Sequence, residues 1–235
     1  MIDFHTHLLP NMDDGSASVE ETKLLLDELT AQGVKKAILT PHFYPLADTI
    51  NNFFKKREVS LSLLKSVYEQ GVHPELYLGA EVAFYHGISK SDELRKLCVE
   101  GTDLLLLELP FCHWDEDLVE EVLSFAENLQ ITVVLAHINR YLPYKNAKYL
   151  DRMWQNGVVL QLNAECFLDK KTFKKGIKLL KSGKISCLGS DAHNSLTRPP
   201  RLKEAIVAIE KKIGYYNLEQ IKVRSKQLLS GATKI

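Results

Sequence analysis

Long apolar runs are missing from this sequence, and none approaches the ~20 consecutive residues that span a bilayer. Membrane insertion is therefore not expected. An excess of one charge sign is missing too: 30 lysines and arginines face 30 aspartates and glutamates. No global field would gather nucleic acid or an anionic membrane surface. Cysteine is scarce, and Cys98, Cys112, Cys166 and Cys187 lie far apart with no paired spacing. They read as reduced thiols of a cytoplasmic protein. No linker, repeat or low-complexity tract divides the chain, and its start leaves no room for a signal peptide. What remains is ordinary for a soluble globular chain, 45% hydrophobic and 26% charged over 235 residues. That length suits one (β/α) unit, so residues 1–235 are expected to form a single domain.

Apolar periodicity then organises the chain. Met1, Ile2 and Phe4 lead an initial strand, and six further apolar runs read as strands over 37–40, 76–81, 103–108, 131–136, 158–162 and 185–189. Between them, helical spacing predicts helices over 19–32, 48–70, 94–99, 115–130, 147–156 and 172–182, with glycine stops at Gly33, Gly71, Gly157 and Gly183. Two more helices, over 202–211 and 218–229, finish the sequence. Strand and helix alternate, and the strands are apolar throughout, the pattern of a parallel sheet covered by helices. Closing that sheet into a barrel removes both of its edges.

Polar chemistry collects at one end of those strands. His5 and His7 stand two apart, so on a strand their imidazoles project together. His42, Glu81, Glu108, His137, Asp191 and His193 each fall at or just past a strand's C-terminal end, and Asp14 follows in the first loop. In a (β/α) barrel that rim builds the active site. Each residue also has a plain alternative, such as Asp191 as a helix N-cap. Six of seven strands offering a ligand at the same end is hard to reach by chance. Five imidazoles and four carboxylates, with no thiolate, suit Mn, Fe or Zn in a cluster of two or three ions. Three divalent ions against four carboxylates would keep about two positive charges, which favours an anionic substrate such as phosphate. Arg140 and Arg198, in the loops after His137 and His193, are placed to hold phosphate oxygens in fork geometry.

These motifs resemble the PHP (polymerase and histidinol phosphatase) superfamily, whose fold is a distorted seven-stranded (β/α)7 TIM-like barrel with a trinuclear metal site. The segments Phe4-His5-Thr6-His7-Leu8-Leu9-Pro10, Asp13-Asp14-Gly15, Thr40-Pro41-His42 and Gly79-Ala80-Glu81 carry the likeness. So do Ala136-His137-Ile138-Asn139-Arg140-Tyr141 and Ser190-Asp191-Ala192-His193-Asn194, with Arg198-Pro199-Pro200 beyond. Within the superfamily they are similar to the bacterial manganese-dependent protein-tyrosine phosphatases of capsule and exopolysaccharide loci. The resemblance implies His5, His7, Glu81 and Asp191 around one ion. It implies Glu81, Glu108 and His137 around a second, and Asp14, His42 and His193 around a third. Mn2+ is the implied metal, up to three ions, with Fe or Zn as alternatives. The implied partner is a phosphotyrosine protein, the tyrosine-rich tail of a membrane-associated bacterial tyrosine kinase. Segments 84–86 and 109–114 match no family pattern.

The cysteines exclude one phosphatase chemistry. A thiolate mechanism needs an arginine six positions on, and those positions hold Leu104, Leu118, Thr172 and His193. The expected activity is therefore metal-dependent hydrolysis of phosphotyrosine, with Arg140 and Arg198 as the catalytic residues. A small-molecule phosphatase such as histidinol phosphatase is the nearest alternative. A metal-free docking module and an amidohydrolase-like barrel are more distant ones. The module would not need a full ligand set, and the amidohydrolase would need a strand ending in lysine, which is absent.

Overall fold

The computed structural model describes residues 1–235. Its first strand, β1 (Ile2–Thr6), pairs with β2 (Lys36–Leu39), which pairs with β4 (Glu75–Leu78). A six-stranded sheet runs in the order β3 (His42–Phe43), β5 (Glu81–Ala83), β6 (Leu104–Glu108), β7 (Thr132–Leu135), β8 (Val159–Asn163) and β9 (Ile185–Gly189). Every pairing is parallel, so each return needs a crossover.

Nine strands are present where seven were expected, and the extra two come from interruptions. Beyond the expected end of the second strand, pairing resumes as β3 after Thr40-Pro41, where proline has no N–H to give a ladder. The third breaks at Gly79-Ala80. In each case the chain continues in the same direction, from the three-stranded sheet into the six-stranded one. The sheets also meet at their other edges. Asp191 N donates to His5 O at 2.8 Å, and His7 N to Ala192 O at 2.9 Å.

Helices supply most of the crossovers. α1 (Val19–Ala31), α2 (Ile50–Lys65) and α3 (Glu116–Leu129) begin at Ser18, Thr49 and Asp115, whose side-chain oxygens accept an exposed helix N–H. α4 (Ala147–Gln155) and α5 (Lys170–Lys181) follow, the latter capped by Asp169. α2 stops five residues short of its expected end. The expected helix over 94–99 is a 3-10 segment, Asp92–Leu97. The two C-terminal helices run together as α6 (Leu202–Leu228), kinked where Gly214 takes φ +76°. No helix is long and apolar enough to cross a membrane.

Alternation along β6 shows how the core is divided. Leu105 and Leu107 join a 54-residue apolar cluster with the helices. Leu104 and Leu106 join a second, ten-residue cluster that draws Phe4, Ile38, Tyr77 and Val134 from strands of both sheets. Glu108 continues the face of Leu104 and Leu106 and stands at the strand's C-terminal end.

Candidate metal centre

His5 lies at the end of β1 and His7 just past it, both fully buried. The following loop folds back so closely that Ser16 N donates to His7 O at 3.0 Å. Residue 15 must then be glycine, because a Cβ there would overlap His7 O and come within 2.5 Å of His7 Cβ. Gly189, at the end of β9, is required in the same way. A Cβ there would stand 2.6 Å from both His5 Cβ and Gln161 Nε2. Two glycines thus let backbone close around the imidazole pair.

The nine expected ligands converge. His5 Nε2 and His7 Nε2 are 3.0 Å apart and lie 3.0 and 3.3 Å from Glu81 Oε2. Both also lie 3.6 Å from Asp191 Oδ1. The other Glu81 oxygen, Oε1, is 3.0 Å from His137 Nε2, which is itself 3.1 Å from Glu108 Oε1. Asp14 Oδ1 stands 3.4 Å from His42 Nε2 and 3.5 Å from His193 Nε2. His42 Nδ1 closes the set at 3.0 Å from Glu81 Oε2. His73, His86 and His113, which were left out of the expected set, are indeed elsewhere, paired with Asp27, Glu121 and the Tyr144 carbonyl.

The electrostatics are those of a pocket that calls for cations. Burial opposes a charge on His7, yet hydrogen bonds to Asp13 and Glu81 outweigh it and lift the imidazole to about 10. His137 rises to about 9 for the same reason, with Glu108 and Glu81 overcoming its burial. His193 goes the other way, to about 4, because burial and the neighbouring His7 charge exceed the pull of Asp191. Glu81 is completely buried, and still the surrounding imidazoles hold it well below the usual carboxylate range. His193 Nε2 is buried with no hydrogen-bond partner, a state that costs about 1–3 kcal/mol unless something coordinates it. Borderline N/O donors, a surplus of buried carboxylate and an unpartnered imidazole nitrogen all fit divalent metal ions. Three overlapping groups could hold one: His5, His7 and Glu81; His42, Glu81 and Glu108; and His7, Asp14, His42 and His193.

Both expected arginines reach this cluster through Asp191. Arg140 Nη2 donates to Asp191 Oδ2 at 2.6 Å, and Arg198 Nη2 to Asp191 Oδ1 at 2.8 Å. Arg198 Nη1 also lies 4.0 Å from Asp14. The guanidinium side chains remain 31% and 36% exposed, so each keeps donors facing solvent.

Sequence reasoning missed the residues that hold the ligands. Asp13 accepts from His7 Nδ1 at 2.7 Å and from His42 N at 2.9 Å, and these bonds, set against its burial, bring its carboxyl down to about 2. It was visible only as half of Asp13-Asp14. Asp3 is buried beneath His5, and burial raises it to about 7 although Ser190 and His5 donate to it. The alternation Asp3, His5, His7 was a usable signal. β8, the one of the seven expected strands without a ligand at its end, offers amides instead. Gln161 Oε1 accepts from His137 N at 2.5 Å, Gln161 Nε2 donates to Asn163 Oδ1 at 2.9 Å, and Asn163 Nδ2 donates to Asp191 Oδ2 at 2.9 Å.

Comparison with known proteins gives this chain relatives along almost its whole length. Residues 1–229 match the family model described as "Capsular polysaccharide synthesis, CpsB/CapC". The tyrosine-protein phosphatase CpsB of Streptococcus pneumoniae is 30% identical, with 91% of each chain covered. CpsB of Streptococcus agalactiae is 27% identical over 97% of each. Among solved structures, one from work on YwqE of Bacillus subtilis and CpsB of S. pneumoniae, described as "unique metal-dependent tyrosine phosphatases", superposes with TM-score 0.85. It is 23% identical and covers 100% of this chain and 96% of its own.

Proposed function

The chain belongs to the CpsB/CapC capsular polysaccharide synthesis family, and from that premise we propose that it is a metal-dependent phosphomonoesterase acting on phosphotyrosine in proteins. The observation that carries this reading is Glu81, whose two oxygens contact His5, His7 and His42 on one side and His137 on the other. A buried carboxylate shared by four imidazoles is the arrangement expected of a bridge between ions.

His5, His7, Glu81 and Asp191 would hold one ion, Glu81, Glu108 and His137 a second, and Asp14, His42 and His193 a third. Manganese is our choice of metal on the family resemblance, and the imidazole and carboxylate donors would equally accept Fe or Zn. Such ions, when bound, supply Lewis-acid polarisation of a phosphoryl group and lower the pKa of water near it. Asp13 fixes the His7 ring by its Nδ1, so that Nε2 faces inward. Arg140 and Arg198, anchored on Asp191, turn their free donors toward the equatorial oxygens of the phosphoryl group. There they balance charge that grows toward the transition state. The departing phenol has a pKa of about 10, so it needs little protonation, and we assign no general acid.

The same reading makes the fold one PHP domain over residues 1–235. β2 with β3, and β4 with β5, would each count as one stave of a seven-position barrel, closed where Asp191 and His7 bond across from β1 to the β9 end. A cytoplasmic enzyme of this kind would take as substrate the phosphorylated tyrosine-rich tail of a membrane-associated kinase that controls polysaccharide export. The test is to chelate the protein and restore Mn, Fe, Zn or Mg in turn. Each form is assayed on a phosphotyrosine peptide, a phosphoserine peptide and histidinol phosphate. Faster turnover of the phosphotyrosine peptide with manganese is expected, and preference for histidinol phosphate would overturn the substrate assignment.

A further inference from the structure

The segment over 109–114 carries an exposed phenylalanine, Phe111, on a loop braced by hydrogen bonds. Leu109 N donates to the buried Tyr141 hydroxyl at 2.9 Å, and Trp114 Nε1 to Pro110 O at 2.9 Å. Asn146 bonds both Cys112 O, at 2.9 Å, and Trp114 N, at 3.1 Å. Trp114 and Tyr141 are themselves buried. Between these anchors Phe111 stays 43% exposed. Its ring stacks on Tyr141 at 5.6 Å and lies 5.7 Å from the ring of His137.

A second exposed aromatic mirrors it. Tyr44 is 48% exposed and stacks on the ring of His42 at 5.3 Å and 27°. His42 and His137 contact opposite oxygens of Glu81, each at 3.0 Å. The two exposed rings therefore back onto imidazoles on either side of one carboxylate, and Glu108 lies within reach of both of those imidazoles. Single exposed apolar side chains are common and need no explanation. An aromatic on each flank of the same cluster, one of them held out by four hydrogen bonds, is a preorganised surface.

We propose that Phe111 and Tyr44 are the walls of a slot that receives the phenyl ring of a phosphotyrosyl side chain, and that this slot sets a preference for aryl over alkyl phosphomonoesters. The proposal rests on the phosphatase reading above and adds the groups that choose its substrate. A phosphate seated at the Glu81 cluster puts an aryl ester's ring directly outward, where flat apolar faces can stack on it. A seryl ester has no such plane, and its short chain leaves the walls wet.

The experiment uses the full chain loaded with manganese. Phenylphosphonate and methylphosphonate, which cannot be hydrolysed at phosphorus–carbon by this chemistry, are compared as competitive inhibitors. Phosphotyrosine and phosphoserine peptides are compared as substrates. Phe111→Ala and Tyr44→Ala should each weaken phenylphosphonate about fivefold relative to methylphosphonate, the scale of one aromatic contact. The aryl-to-alkyl ratio of kcat/KM should fall with it. Phe111→Tyr, which returns a flat ring, should restore both ratios. Equal weakening of the two phosphonates, or ratios that do not move in either variant, would overturn the slot. The earlier reading fails differently, since there the unsubstituted protein itself would not favour phosphotyrosine.

Discussion

Asp191 links the imidazoles to the arginines, and that fixes what each neighbouring substitution should do. Its carboxylate takes hydrogen bonds from Arg140, Arg198 and Asn163. Arg140→Ala removes one of three donors, so the buried charge stays paired and metal content should hold. Activity on phosphotyrosine should fall by about two to three decades, the worth of one transition-state donor of roughly 3–4 kcal/mol. Arg140→Lys should recover only part, because a point charge lacks the fork. Near-normal kinetics for the alanine variant would return Arg140 to the role of an Asp191 partner alone. Glu81→Gln should behave in the opposite way. It touches four imidazoles, so bound metal measured by elemental analysis should drop further than in His42→Ala. Equal losses would refute the shared-carboxylate partition. Cysteine should matter least. Burial pushes the Cys98 and Cys166 thiols up to about 11, and Cys187 is raised by complete burial as well. A folded cysteine-free variant should retain p-nitrophenyl phosphate hydrolysis, and its loss would reopen thiol chemistry.

The strand that carries no expected ligand shows where sequence reading stops. A search for metal chemistry looks for histidine and carboxylate, and by that measure β8 is silent. Its Gln161 and Asn163 nevertheless hold His137 and Asp191, both in the left-handed region at φ +31° and +56°. Side chains rarely adopt that backbone, so the strain has to be outweighed by fixed bonds nearby. Gln161→Leu leaves the His137 N–H buried and unpaired at a cost of about 1–3 kcal/mol. For a chain of this length the melting temperature should drop by about 3–10 °C. Metal affinity should also fall, by about 10–100-fold, as when a group that orients ligands is lost. A variant that loses stability but binds metal normally would show the amide to be structural only. By contrast, the residues that converge were legible because all but Asp14 stand at or just past the end of an apolar run, and β9 was legible to the residue. The break at Gly79-Ala80 was not read, although glycine announced it, because a continuous apolar run outweighs a single punctuating residue, and the stop before Pro41 was read but not the two-residue strand that resumes at His42. The pairing of Arg140 with Asp191 spans 51 positions, and no local spacing encodes that.

Metal ions should complete the site without being needed for the fold. The apolar cluster of 54 buried residues is built from helices and strand faces by packing alone, with no ion in its makeup. Without metal, the buried carboxylates are balanced by protons, which is why His7 and His137 are lifted to about 10 and about 9. Ions would replace those protons and bind the folded chain far better than the unfolded one, where the nine side chains are scattered. Ligand at a hundred times its dissociation constant contributes about 2.7 kcal/mol of stability, or about 5–10 °C in melting temperature for a chain of this size. Chelation should therefore abolish phosphotyrosine hydrolysis, preserve the far-ultraviolet circular dichroism spectrum and lower the melting temperature by about that amount. Restoring manganese should reverse all three. A chain that unfolds on chelation would mean that the ions, rather than the packed strands and helices, hold the rim together. A melting temperature unchanged between manganese and chelator would mean that the cluster does not bind metal at all.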